Sequence, residues 1–148
     1  MNNLYLRKAE LADLDLYYRW ANDPEVRRNS FNTEHIPYED HVNWFNKAIA
    51  CDDVVLFVLV ADDTPAGQIR INISDSVAEI SYSISSEFRG KGYGRRIVSL
   101  LIEKIKEEMP GIKTVIARVK PDNAASMKVF EKAGFAMKEV GFELEVNN

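Results

Sequence analysis

The sequence predicts an α/β domain, α+β in some schemes, built on one mixed sheet. Three observations carry that prediction. Some segments repeat their apolar residues at helical spacing and others alternate them. Strand-like runs follow one another in quick succession between residues 54 and 85. A strand, a helix and another strand then succeed each other between residues 77 and 119. With 148 residues the chain is long enough for one core and too short for two nucleotide-binding halves, so residues 1–148 are read as a single domain.

Leu4 and Leu6 mark a short first strand, and Asp13 is placed to cap a helix that runs to about Ala21. Asn22-Asp23-Pro24 stops it, because proline disfavours helical geometry in the residue before it. A second helix is expected over residues 37–50, with Val42, Phe45 and Ile49 on one face. Strands at 54–61, 67–73 and 77–85, separated by Asp-Asp-Thr-Pro-Ala and Ser-Asp-Ser, read as an antiparallel meander. In the third, Ile80, Tyr82 and Ile84 face one way and Glu79, Ser81 and Ser83 the other.

Ile97, Leu101 and Ile105 then define an amphipathic helix that ends at Pro110-Gly111, and residues 112–119 form a buried strand. Strand, crossover helix and strand make a parallel pair, right-handed if adjacent. Asp122 or Asn123 caps a last helix through Ala133, Gly134 suits its C-terminal turn, and residues 140–146 read as a final strand. The expected order is β-α-α-β-β-β-α-β-α-β-β.

The net charge of −4 argues against a protein that holds nucleic acid by bulk electrostatics. A lone cysteine, Cys51, forms no internal disulfide and fits a reducing compartment, and His35 and His41 lack zinc-ligand spacing, so no metal is expected. Neither a signal-peptide core nor a bilayer-spanning run is seen, which makes a cytoplasmic protein without membrane partners the expectation.

Between the third strand of the meander and the next helix stands Arg-Gly-Lys-Gly-Tyr-Gly, residues 89–94. Glycines there let backbone N–H groups point at an anion, and the helix N-terminus adds partial positive charge. Arg89, Lys91, Arg95 and Arg96 surround the loop. The loop lacks the Walker pattern and the dinucleotide fingerprint. It fits Arg/Gln-x-x-Gly-x-Gly/Ala through Arg89, Gly92 and Gly94, and it is followed by Asn-Ala-Ala-Ser-Met-Lys-Val-Phe-Glu-Lys-Ala-Gly-Phe at 123–135.

This pair of segments, in this element order, resembles the GNAT superfamily of acyl-CoA-dependent N-acyltransferases. The resemblance implies a central, mostly antiparallel mixed sheet of about seven strands with helices on both faces, and acetyl-CoA as co-substrate. It implies that the pyrophosphate lies on the backbone of Arg89, Gly90, Lys91, Gly92, Tyr93, Gly94 and Arg95. The pantetheine arm would follow the main chain of Tyr82, Ser83 and Ile84 where two central parallel strands splay, and would meet Asn123, with Ser126 and Phe130 on the next turns. Read as residues alone, Asn123 serves equally as a helix cap, and Phe130 and Phe135 as core.

Acetyl transfer to an amine needs a neutral amine, a donor to the negative oxygen and a proton for the departing thiolate. A main-chain N–H of residues 81–85 suits the oxygen. Many relatives carry a tyrosine where this chain has Phe130, so the proton donor is reassigned to Ser126, with Tyr82 or Tyr93 as alternatives. A serine in a helix also bonds its own carbonyls. Glu79 is the expected base, with a salt-bridged glutamate as the plain alternative; His41, beside Trp44, is the other base candidate.

The stretch 20–32, with Tyr38 and residues 40–45, resembles GNAT enzymes that acetylate nucleotide-linked amino sugars. On that resemblance Arg27 and Arg28 would meet a diphosphate, Asn22, Asn29 and His41 sugar hydroxyls, and Trp44 or Phe31 a ring. A ribosomal-protein or peptide N-terminal amine is the alternative acceptor, and a non-catalytic acyl-CoA-binding module a third reading. Pairing into a homodimer is left open.

Overall fold

The computed structural model describes residues 3–138 and Leu144. Its sheet has five strands in the order β1 (Leu4–Lys8), β2 (Val54–Ala61), β3 (Thr64–Ser74), β4 (Val77–Ile84) and β5 (Thr114–Ala117). The first three neighbour pairs are antiparallel and β4–β5 is parallel, as the strand-helix-strand pattern predicted. The helices are α1 (Leu14–Ala21), α2 (Pro24–Asn29), α3 (Tyr38–Ala50), α4 (Tyr93–Glu108) and α5 (Ala124–Lys132).

Every residue of β2 is apolar because both of its faces are covered. Leu56, Val58 and Val60 pack with Tyr17 of α1 and Phe45 of α3, while Phe57, Leu59 and Ala61 join Ile69, Ile71, Ile80 and the fully buried Ile97, Val98 and Leu101 of α4. The Tyr17 hydroxyl donates to the Phe57 carbonyl at 2.7 Å and fixes α1 on the sheet. The alternation of β4 is as expected, with Ile80, Tyr82 and Ile84 on the α4 side. No described helix is long and apolar enough to cross a membrane.

Several expectations are corrected. The described residues contain five strands rather than about seven, and the strand expected at 140–146 lies outside them, Leu144 excepted. Their element order is β-α-α-α-β-β-β-α-β-α, because Asp23-Pro24 does more than stop α1. The Asp23 carboxylate accepts from the Glu25 and Val26 amides, Pro24 occupies the first turn, and α2 begins there. Asp13 does not cap α1 through its side chain; its carboxylate takes two bonds from Arg7, at 2.8 and 2.9 Å, and one from the Glu10 amide.

The buried stripe of α3 is His41, Phe45 and Ala48, with Val42 and Ile49 at its margins. The turn between β2 and β3 is the two residues Asp62 and Asp63, both at positive φ, so β3 starts at Thr64 and takes in Pro65 beside a bulge. β5 is shorter than 112–119, since its pairing with β4 stops at Ile80↔Ala117.

Candidate functional site

Beyond Ile80↔Ala117, β4 runs on through Ser81–Ile84 with β3 on one side and, among the described residues, no strand on the other. The parting opens a cavity of about 1020 Å³ that reaches from the glycine loop and α5 to the connection after α2 and the polar face of β3 and β4.

At the loop end Gly90 and Gly92 have φ of +77° and +79°, and a Cβ at either would meet nothing within 4 Å. This is left-handed backbone, in which an L side chain is strained. Gly92 caps α4 without a side chain, no acid stands in the first turn, and Lys91, Arg95 and Arg96 are exposed, so the helix N-terminus faces outward uncompensated. Gly94 has a different reason to be glycine: a Cβ there would come 3.3 Å from the Tyr82 ring and hydroxyl.

The Arg89 guanidinium is not a mobile charge of the loop. It bonds the Asp23 carboxylate at 2.8 Å, Glu25 at 2.9 Å and the Ile84 carbonyl at 3.1 Å, tying the loop to α2. The Tyr93 ring is buried against Phe88.

Opposite the loop, the Tyr82 and Ser126 hydroxyls lie 3.1 Å apart. Burial raises the Tyr82 pKa, and the hydrogen bond with Ser126 offsets only part of that, so the phenol keeps its proton well into alkaline solution. Phe130 is buried edge-on to Tyr82 and to Phe135. The Asn123 Oδ1 caps α5 by accepting from the Ser126 amide. Ser83 Oγ accepts from Gln68 Nε2. Glu79 sits half-exposed at the mouth of the parting, 3.3 Å from Arg118 Nε.

On the α2 side, most of the polar atoms expected to meet an acceptor are taken up inside the fold. Asn22 clasps the Ile36 backbone through both ends of its amide. Arg27 spends its donors on the carbonyls of Ala21, Asn32 and Glu34 and on Ser30 Oγ. His41 is buried with Nε2 2.9 Å from the Leu14 carbonyl. Arg28 is exposed beside Glu25, whereas Asn29 and Trp44 line the cavity.

Sequence reasoning passed over Gln68, Arg70, Arg118 and Lys120. The Arg70 guanidinium stacks on Trp44, 5.2 Å from the ring centroid. Lys120 crosses the cleft to the carbonyls of Arg28 and Ser30 at 2.9 and 3.3 Å. Alternation in Gly-Gln-Ile-Arg-Ile-Asn at 67–72 was the available signal for the first two, since a polar residue at every second place of a central strand marks a wet patch on one face. Among the described residues no cluster of His, Cys, Asp and Glu forms a metal site.

The sequence profile of the acetyltransferase (GNAT) domain matches residues 3–136. An uncharacterized protein of Methanocaldococcus jannaschii is 26% identical over 97% of this chain, and the chain spans 30% of that protein's length. The putative phosphinothricin acetyltransferase YwnH of Bacillus subtilis is 31% identical over 88% of this chain and 83% of its own. The spermidine N-acetyltransferase of Vibrio cholerae, solved with CoA and spermine, superposes with a TM-score of 0.83 at 21% identity, covering 92% of this chain and 82% of its own.

Proposed function

We propose, for a chain that belongs to the GNAT acetyltransferase family and is an acetyl-CoA-dependent N-acetyltransferase, that the acceptor is the primary amine of a small molecule, specifically a nucleotide-linked amino sugar. The observation that carries the acetyl-CoA part of the reading is the parting of β4 from β5 at Ile80↔Ala117, with a helix N-terminus that has no side-chain cap on one side and a polar sheet face on the other, joined by one cavity. For the sugar nucleotide, with Asn22, Arg27 and His41 engaged inside the fold, the support is Asn29 and the rings of Trp44 and Phe31 on the cavity wall.

Acetyl-CoA, when bound, supplies an acetyl group on a thiolate leaving group. Its pyrophosphate suits the backbone of residues 90–95, where two glycines in left-handed conformation leave open space and α4 begins with its partial positive charge. The edge of β4 from Ser81 onward, which no described strand pairs, suits an extended amide-bearing arm, as an added strand would.

Two proton positions follow. Tyr82 Oη, held protonated by burial, is the store from which a departing thiolate is neutralised, and Ser126 Oγ at 3.1 Å either passes that proton on or orients it. The pair fills the role left open by Phe130, whose ring packs edge-on against Tyr82. Glu79, on the opposite face of the same strand, takes the proton of the attacking amine, directly or through a water, with Arg118 holding the carboxylate at the mouth. The exposed rings of Trp44 and Phe31 suit a sugar or base face.

A CoA-release assay tests the acceptor. Nucleotide-linked amino sugars are expected to outrun free amino sugars, polyamines and basic peptides; a preference for peptides with a free N-terminus would replace the acceptor by a protein one. Intact acetyl-CoA binding with no turnover on any of them would make the chain a binding module.

A further inference from the structure

We infer that Arg70 is the specificity-determining residue of the acceptor half of the cavity, and that it selects amines carrying an anionic oxygen group, a carboxylate or a phosphate, against cationic ones. The inference rests on the reading of this half as an acceptor site and adds the charge of what it takes.

Two side-chain atoms among the described residues are buried without a hydrogen-bond partner, Arg70 Nε and Gln68 Oε1. They stand two residues apart on the same face of β3, about 7 Å along the strand, and both residues line the cavity. Arg70 pairs in register with Ser81, the first residue of β4 beyond the end of its pairing with β5, so it lies one strand from the opening itself. A buried Nε–H without an acceptor is costly, because its water has been removed and nothing replaces it. A ligand that brings an anionic oxygen replaces it.

No described acidic side chain pairs with this charge. Arg70 forms no ion pair with any described residue; its one ring contact is the stack on Trp44. The acidic side chains around the cavity form no ion pair with it, since Glu25 holds Arg28 and Arg89, Glu79 holds Arg118 and reaches Arg70 only through its field, and Asp40 stands exposed on α3. Burial lowers the Arg70 pKa, Tyr17 and Glu79 oppose that, and the like charge of Arg27 adds to it. Arg27 itself gives its donors to neutral oxygens, so it cancels none of the field. A cationic amine meets the unpaired charge of Arg70 as a like charge, whereas an anion pairs with it.

Gln68 completes the pattern. With Nε2 committed to Ser83 Oγ, its oxygen remains as an acceptor for an N–H or O–H of the same molecule. A donor for an anion and an acceptor for an amine or hydroxyl side by side describe a bifunctional acceptor rather than a simple amine.

The test uses matched pairs of amines in the CoA-release assay: an amino acid and its carboxamide, a nucleotide-linked amino sugar and the free sugar, with spermidine as the cationic control. Wild-type protein is expected to prefer the charged member of one pair by at least tenfold in kcat/KM. The pair that shows the preference identifies carboxylate or diphosphate as the anion. Arg70→Gln is expected to raise KM for that member tenfold or more and bring the ratio toward one, with kcat less affected, and Arg70→Lys to restore part of it. Because Arg70 Nε has no internal partner, the melting temperature of Arg70→Gln should equal or exceed that of wild type.

Equal losses for both members of each pair, spermidine as the best acceptor, or a melting temperature that falls sharply in Arg70→Gln would each overturn the inference. Calorimetric titration of the acetyl-CoA-saturated protein with the same pairs separates the two readings. Anion-selective binding that vanishes in Arg70→Gln without turnover would overturn catalysis and keep the anion site. Turnover with identical binding by wild type and Arg70→Gln would do the reverse.

Discussion

Removal of the Arg89 guanidinium tests whether that side chain holds α2 or holds a phosphate. In Arg89→Ala the Asp23 carboxylate, 19% exposed, loses a bond of 2.8 Å, Glu25 loses one of 2.9 Å, and the Ile84 carbonyl loses its donor. A charge-assisted bond at a largely buried carboxylate is worth about 1.5–3 kcal/mol, and an exposed ion pair about 0.2–1 kcal/mol. Together they come to about 2–4 kcal/mol. For a domain of this size about 1 kcal/mol moves the melting temperature by about 2–4 °C, so a fall of about 4–16 °C is expected.

The pH dependence carries the diagnosis. Burial is the largest single influence on Asp23 and pushes its pKa up, but the bonds from Arg89 and from the Val26 and Glu25 amides together hold it below the usual carboxylate value. A carboxylate whose folded pKa is depressed contributes stability that is complete above its unfolded pKa and is lost as pH falls through the folded one. The gap in melting temperature between wild type and Arg89→Ala should therefore be widest near neutrality and close as the solution is taken below pH 4. Scanning fluorimetry from pH 3 to 8 reads it. With α2 loosened, KM for the acceptor should rise more than the dissociation constant for acetyl-CoA. An unchanged melting temperature together with a hundredfold loss of acetyl-CoA affinity would refute this account and make Arg89 a phosphate ligand.

Two further pairs of substitutions separate parts of the site. Gly92→Val forces a β-branched residue to a φ of +79°, at a cost of at least about 1–2 kcal/mol, and should abolish the thermal shift given by acetyl-CoA; Gly94→Val should instead lower kcat by displacing Tyr82. Equal acetyl-CoA shifts in both variants and wild type would remove the loop from the cofactor site. Tyr82→Phe should lower kcat about tenfold or more with acetyl-CoA affinity kept, and Ser126→Ala should do so less. Because burial raises the Tyr82 pKa, wild-type kcat should hold through the pH at which an ordinary tyrosine ionises; an alkaline limb that begins lower and survives in Tyr82→Phe would assign the proton elsewhere.

Local physics was legible in the chain. The all-apolar β2, the stripe of α4, the strand-helix-strand crossover and the left-handed glycines at 90, 92 and 134 each follow from short-range rules, and the structure carries them. The glycine loop and the segment 123–135 are likewise brought to one cavity. Where the reading failed, two rules competed at the same residues. Asp23-Pro24 was taken as the end of one helix although the same pair begins another, and Asp13 stands at the N-cap of α1 as expected, but its carboxylate is claimed by Arg7 and not by the helix amides.

Identity of residue type could not say which polar groups are free. Arg27, Arg89 and Arg70 are one kind of side chain in the sequence, and nothing local distinguishes them. Arg27 is consumed by three carbonyls and a hydroxyl of its own loop, Arg89 by two acids of α2, and Arg70 by none. That division depends on partners as far as 66 residues away along the chain. The sequence by itself determined the elements and the loop, because backbone geometry and burial periodicity act over a few residues. Only the tertiary structure decided which charges remain for a substrate, because neutralisation is a matter of distance in space.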